Sequence, residues 1–394
     1  MRTLGPIITL LAIHFLAAGA VHANSFDRTF EFDEIIAFGE SSTDTGNVAQ
    51  AQCSDGQPGA GFPVFWAPCT PLDSSTYMPG YFDGRLSNGP LWVEFLADAL
   101  GVDRPRPSAD SGTNYAHAGA KIGPDATTEP DAKFNLRVNL YPNNPVLNPD
   151  PTGACDNRIY QAGELVCGSE VPHIITQIEQ YVGERGGFNK KQLVVIWGGA
   201  NDLRDIGLDP AGPEAAIANI VNNLVTAVWT AAAGGAKHIS VLNQLNASRA
   251  PITQALCGRD PLCLGKIEAA VQGFNAALRS ALKELQLALS EQGSRARIHY
   301  VNVYSAGEVA VELSELFGKP FVNTTEPALV PDPDPQNQLP LAKPIPDDAE
   351  DYLFWDVIHP TEKAYRITAY RVCKTLKRKI RRFEPRCFKI LTSN

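Results

Sequence analysis

The sequence predicts an α/β chain whose central parallel sheet is covered by helices on both faces. Two observations carry this. Short apolar, β-rich runs alternate with longer stretches of helical period, the signature of repeated βαβ units. No internal repeat or compositional break divides the 394 residues, so one elaborated domain is expected over residues 24–394.

The elements follow in chain order. Residues 1–23 carry one charge, Arg2, then an apolar stretch from Ile7 to Ala20 and the small-residue end Val21-His22-Ala23, the pattern of a cleavable signal peptide. No later stretch reaches the roughly 18 apolar residues that a membrane span requires. Strands are expected at Glu34–Phe38, Thr113–Ala116, Gln192–Trp197, His238–Asn243 and Arg297–Val303. Helices are expected at Gly89–Leu100, Pro172–Glu184, Glu214–Ala233, Leu264–Glu291 and Ser305–Phe317, with a last one from Thr361 to Arg382. Ala51–Phe82, Lys121–Gly168 and Glu326–Glu350 are rich in Pro, Gly, Asn or Asp and read as long loops. Ligands of open parallel sheets bind outside the carboxyl ends of the strands, where these loops should gather.

Without the leader, 33 basic residues face 43 acidic ones, a formal charge of −10 that argues against nucleic acid as a partner. Eight cysteines behind a leader read as a disulfide framework. They fall into four short-range couples: Cys53–Cys69, Cys155–Cys167, Cys257–Cys263 and Cys373–Cys387. None has C-x-x-C spacing, so neither a zinc site nor another metal or cofactor is expected. Asn246-Ala247-Ser248 and Asn323-Thr324-Thr325 fit the N-glycosylation pattern.

Five histidines follow the leader: His117, His173, His238, His299 and His359. His238 and His299 lie in expected strands and His173 opens a helix, so these read as structural. His359 differs, because it stands in Asp356-Val357-Ile358-His359-Pro360-Thr361, three positions after a carboxylate and just before the last helix. At that spacing Asp356 can accept from imidazole Nδ1–H and leave Nε2 outward as a general base. A base of this kind serves a nucleophile. Ser41 follows an apolar strand in Phe38-Gly39-Glu40-Ser41-Ser42, a turn that lifts a serine off the strand's carboxyl end, where its own amide can help hold an oxyanion. No G-x-S-x-G occurs in the chain, so the nucleophile elbow of α/β-hydrolases is absent. Further donors are offered by the small-residue run ending in Ala118-Gly119-Ala120 and by the side-chain amide of Asn201 in Gly199-Ala200-Asn201-Asp202.

In order and wording these pieces resemble the SGNH hydrolases, also called GDSL esterases and lipases. Gly39-Glu40-Ser41-Ser42 with Asp44-Thr45-Gly46-Asn47 is similar to the first block of that family, Asn114 to Ala120 to the second, Gly199 to Asp202 to the third, and Asp356 to Thr361 to the last. Gly84-Arg85-Leu86-Ser87-Asn88-Gly89 and Phe274-Asn275-Ala276-Ala277-Leu278 also fit. The resemblance implies a flavodoxin-like α/β/α sandwich, Ser41 as nucleophile, Asp356 and His359 as orienting acid and base, and Ser41, Gly119 and Asn201 as oxyanion donors. Glu40 and Ser42 depart from the usual Asp and Leu, and Ser41 is preferred to Ser42 by register. Asn302 stands where an acid is common and reads as structural.

The resemblance further implies a secreted esterase or lipase working through an acyl-enzyme on lipids such as lysophospholipids or phospholipids, with acyl transfer as a second outcome. A polysaccharide O-acetyl esterase is the alternative enzyme, and a catalytically degenerate binding protein the alternative from another class. The tail from Lys374 to Lys389 carries eight cations against Glu384 and suggests transient contact with an anionic membrane surface.

Overall fold

The computed structural model describes residues 29–49, 81–123, 158–161, 164–167, 171–206, 213–330 and 343–392. The leader, Cys53, Cys69 and Cys155 lie outside them, and with them two of the expected disulfides. The other two are formed, Cys257–Cys263 and Cys373–Cys387.

In chain order the elements are β1 (Glu34–Gly39), α1 (Trp92–Leu100), β2 (Arg158–Gln161), β3 (Glu164–Cys167), α2 (Ile174–Arg185), β4 (Gln192–Trp197) and α3 (Ala200–Ile206). They continue with α4 (Glu214–Ala233), β5 (His238–Leu242), α5 (Pro251–Leu256), α6 (Pro261–Glu291), β6 (Arg297–Val301) and α7 (Val303–Phe317). β7 (Asn323–Pro327), β8 (Tyr352–Phe354), α8 (Glu362–Lys379) and α9 (Lys389–Thr392) complete the chain.

Strands β1, β4, β5 and β6 lie side by side in that order and all pair in parallel. Beyond β1, the expected strand Thr113–Ala116 shrinks to a bridge centred on Asn114, which pairs with Ala37 on one side and Pro107 on the other. Its bonds are nonetheless those of a parallel edge: the Ala37 N–H donates to the Thr113 carbonyl at 3.0 Å and the Tyr115 N–H to the Ala37 carbonyl at 2.8 Å. The spatial order is therefore second, first, third, fourth, fifth, the flavodoxin-like arrangement, with its topological switch between β1 and the edge segment on one side and β4 on the other.

Side chains alternate between two cores, as period-2 geometry requires. Ile36, Phe38, Val194, Ile196, Ile239 and Val241 face α2, α4 and α6. Ile35, Ala37, Leu193, Val195 and Trp197 face the other way, against Trp92 and Leu96 of α1 and Tyr365, Ala369, Val372 and Leu376 of α8. Helices thus cover both faces, making a three-layer α/β/α sandwich.

Several boundaries shift for identifiable reasons. α6 starts earlier than expected because Asp260 caps it by accepting from the Leu262 N–H and Pro261 supplies a first helical residue that needs no donor. α7 starts at Val303 because Asn302 caps it through the Ser305 N–H, the structural role expected of Asn302. Within the expected loop Lys121–Gly168, β2 and β3 form an antiparallel pair, and the unexpected β7 and β8 flank the expected loop Glu326–Glu350 and pair in parallel. α4 is the one described helix long and apolar enough to cross a membrane, which the expectation of no further apolar stretch overlooked. Its Ile217, Val221, Leu224 and Val228 are buried in the core while Glu214, Asn222 and Thr226 are exposed, so its face is that of a sheet-packing helix. Of the two sequons, Asn246 is buried and its amide oxygen accepts from the Ser248 N–H and hydroxyl.

Candidate active site

The carboxyl end of β1 is constrained before any chemistry is considered. A Cβ on Gly39 would come within 2.5 Å of the Trp197 carbonyl oxygen, so only glycine lets β1 and β4 end this closely together. Gln177 of α2, fully buried, clamps the same residue: its amide oxygen accepts from the Gly39 N–H and its amide nitrogen donates to the Gly39 carbonyl, both at 3.0 Å. The chain then turns, with the Thr43 and Asp44 N–H groups donating to the Glu40 carbonyl. Ser41 and Ser42 sit half-buried on this turn.

Asp44 and Asn47 are cross-links between loops. The Asp44 carboxylate accepts from the N–H groups of Gly46, Asn47 and Val48, and also from that of Ala118 at 2.9 Å. The Asn47 amide donates to the carbonyls of Asn114 and Ala116, both at 2.8 Å, while Asn114 donates back to the Thr43 carbonyl. The first and second sequence blocks are thereby tied together beside Gly119. Gly119 is exposed with φ +84°, and its N–H meets no acceptor among the described residues.

Glu40 shows what its extra methylene reaches. Its buried carboxylate accepts from the Ala200 N–H at 3.0 Å, the Asn201 N–H at 3.2 Å and the Asn201 side-chain amide at 2.5 Å. The Asn201 amide donates also to the Ala120 carbonyl at 3.0 Å. Asn201 is therefore fixed between the first and second blocks, at the start of α3, where Gly199 makes the turn out of β4 with φ +115°.

Asp356 and His359 lie on a tight turn between β8 and α8. The Trp355 N–H donates to the His359 carbonyl at 2.8 Å, and the Thr361 N–H to the Leu353 carbonyl at 3.0 Å. His359 Nδ1 is 2.7 Å from Asp356 Oδ2, while Asp356 Oδ1 accepts the N–H groups of Ile358 and His359. Burial opposes ionisation of Asp356, but the His359 charge and these hydrogen bonds outweigh it and hold its carboxyl below the ordinary range. Only 12% of the His359 side chain is exposed, so the imidazole is sheltered yet reachable.

Residues 84–89 explain themselves here. The Ser87 hydroxyl donates to the Pro360 carbonyl at 2.9 Å, and Asn88 accepts from the Glu362 N–H at 2.8 Å. A Cβ on Gly89 would overlap the Glu362 carboxylate. This segment thus buttresses the turn that carries His359. A second link runs through Tyr365 of α8, fully buried. Burial pushes its phenol up, the Ser42 side chain acts in the opposite direction, and the charges of Asp356 and Glu40 add to the rise. The turn after β1 and the Asp356 turn therefore share one neighbourhood, although they are more than 300 positions apart.

His238 Nδ1 and His299 Nε2 are 3.0 Å apart at the opposite end of the sheet, and His117 Nδ1 faces the Tyr115 carbonyl at 2.9 Å. Two residues of the site had no sequence signal: Gln177, and Tyr81, whose hydroxyl donates to Asp356 Oδ2 at 2.7 Å. The described residues hold no cluster of three or more potential metal-ligating His, Cys, Asp or Glu side chains.

The family model for GDSL-like Lipase/Acylhydrolase matches residues 35–372. One GDSL esterase/lipase of Arabidopsis thaliana is 23% identical, over 92% of this chain and 90% of its own. A second from the same plant is also 23% identical, over 91% of this chain and 93% of its own. A crystal structure of a lipolytic G-D-S-L family protein from Veillonella parvula aligns at 14% identity with a TM-score of 0.35, over 88% of this chain and 98% of that one. Matched over most of its length by the family model, the chain belongs to the GDSL-like lipases and acylhydrolases, the SGNH hydrolases, and is a serine hydrolase of carboxylic esters.

Proposed function

We propose that Ser41 is the nucleophile, His359 its general base and Asp356 the orienting acid, in a secreted esterase of lipid acyl groups. The observation that carries the reading is the Asp356–His359 pair, sheltered on a turn that shares Tyr365 with the turn after β1. Ser41 is preferred to Ser42 by its register in Gly39-Glu40-Ser41-Ser42 after β1. In the first half-reaction the Ser41 hydroxyl oxygen attacks the ester carbonyl carbon and its proton passes to His359 Nε2. The resulting oxyanion is received by the N–H groups of Ser41 and Gly119 and by the Asn201 amide, which releases one of its two present acceptors to do so. His359 returns the proton to the departing alkoxide, leaving an acyl-Ser41. Water, or another alcohol, then attacks that ester by the same steps in reverse, giving hydrolysis or acyl transfer.

Lipid esters, lysophospholipids first, are supported by the Trp355-Asp356-x-x-His359-Pro360-Thr361 ending and by relatives described as esterase/lipases. The leader-like residues 1–23 and two formed disulfides support secretion. A panel of p-nitrophenyl esters, lysophospholipids and acetylated sugars tests the reading. Activity on acyl lipids that vanishes in Ser41→Ala and His359→Ala but survives in Ser42→Ala is the expected result. Turnover of acetylated sugars alone would replace lipids with polysaccharide O-acetyl esters, and loss in Ser42→Ala with retention in Ser41→Ala would move the nucleophile.

The basic tail is the proposed contact for anionic lipid, and it sits far from this chemistry. α8 leaves the His359 turn and runs 18 residues, roughly 27 Å at 1.5 Å per residue, toward the start of β1, where the Phe30 N–H donates to the Arg382 carbonyl. Exposed Phe388 stands there beside Lys389, while Glu384 pairs with Lys377. Such a contact tethers the enzyme without pressing its cleft to the surface. Binding to phosphatidylserine vesicles should fall when Lys377, Arg378, Arg381 and Arg386 are changed to Glu, with activity on soluble esters unchanged; equal binding by the variant would end the tethering reading.

A further inference from the structure

We propose that Tyr81 is a positioning residue of the active site, its hydroxyl holding the Asp356 carboxylate in the orientation that the His359 imidazole requires. The inference rests on the reading of Asp356 and His359 as orienting acid and base. An ionised carboxylate offers about four acceptor positions. Here Oδ1 receives the Ile358 and His359 N–H groups, and Oδ2 receives His359 Nδ1 and the Tyr81 hydroxyl, both at 2.7 Å. Tyr81 thus supplies the last acceptor contact on a carboxylate that is only 5% exposed, and it comes from a segment 275 positions away.

The ring is held for this task. It meets Trp355 edge-on with centroids 6.4 Å apart, packs against Ala328, Leu329, Ala349 and Trp355 on one side, and against Leu86 and Ala118 on the other. Tyr81 therefore bridges the wall that carries Gly119 to the turn that carries His359. Burial first, then the Asp356 charge and hydrogen bond, push the phenol well above its ordinary value, so it remains an O–H donor throughout the enzyme's working range and no proton leaves it.

Sharing the carboxylate has a consequence for pH. With the phenol in place, part of the Asp356 charge is spent on Tyr81; without it, the full charge acts on His359 and favours imidazolium. The groups facing Asp356 among the described residues are His359, Tyr81 and Tyr365, with Glu40 reaching Tyr365 from the turn after β1.

Tyr81→Phe keeps the ring and removes the donor. We expect kcat to fall roughly tenfold to a hundredfold with KM little changed, the usual weight of one hydrogen bond to a charged group, and the acid limb of the kcat/KM profile to move to higher pH. In an Asp356→Ala background the same change should cost nothing more. An unchanged rate and profile, a lowered Tm with an intact profile, or a further loss in the Asp356→Ala background would each overturn the proposal. Ser41→Ala and His359→Ala, measured alongside, separate the two ideas. If both are inactive while Tyr81→Phe behaves as the parent, Tyr81 is excluded and the triad stands; if either is active, it is the triad reading that fails.

Discussion

Two histidine pairs sit at opposite ends of the same sheet, and their partners differ in one respect. His359 faces a carboxylate at 2.7 Å, and His299 faces another imidazole, that of His238, at 3.0 Å. The His238 and His299 rings are nearly parallel, 5° between planes, and lie near Phe30, Phe32 and Arg297. There burial, then the neighbouring His238, Lys379 and Arg297 charges, push His299 down to about 3. A histidine among neutral and cationic neighbours stays neutral and serves packing, whereas the His359 ring is oriented by a buried carboxylate. The partner, rather than the hydrogen bond itself, separates the proposed base from a core residue.

The strongest test of the comparison is to remove each pair's chemistry. Ser41→Ala and His359→Ala should each lower kcat by about 10⁴ or more, and the double variant should be little worse, because the members act as a unit. His299→Leu should leave kcat near the parent value, and a large loss there would erase the distinction. Next in size is Asn201→Ala, expected to cost roughly 10²–10³ in kcat if its amide reaches the oxyanion. A change confined to stability would assign Asn201 to the Glu40 cross-link alone. The last effect concerns stability and pH. A histidine whose folded value is depressed takes up fewer protons folded than unfolded, so its contribution is complete above about 6.5 and is lost as pH falls toward about 3. The parent should lose about 1.4 kcal/mol per pH unit from His299 across that window. In denaturant titrations between pH 6.5 and 4 the slope should flatten in His299→Leu, and an unchanged slope would mean that His299 is not the buried neutral group.

Much of the site was legible because its residues carry local signals. Asp356 and His359 are three positions apart, so one turn of chain brings them together whatever the rest does. Gly39-Glu40-Ser41 follows a strand whose apolar run ends abruptly. Asn302 reads as structural, but its capping of α7 through the Ser305 N–H emerges only in the fold. What escaped has no local signal: Tyr81 and Gln177 act 275 and 138 positions away from the groups they hold. The Thr113–Ala116 segment was readable as a strand but not as a bridge at the edge of the sheet, since its length of pairing depends on how Pro107 and Ala37 flank it.

By itself the sequence determined the alternation of strands and helices, the two observed disulfide pairs and the Asp356–His359 pair, because periodicity, short loop closure and i,i+3 spacing are properties of nearby residues. Only the tertiary structure decided that Glu40 would grip Asn201, that residues 84–89 would brace the His359 turn, and that the basic tail would lie at the far end of α8. Each of these joins elements that the sheet order, not the chain order, makes neighbours. Their partners are chosen by burial, which leaves a polar group no water to turn to.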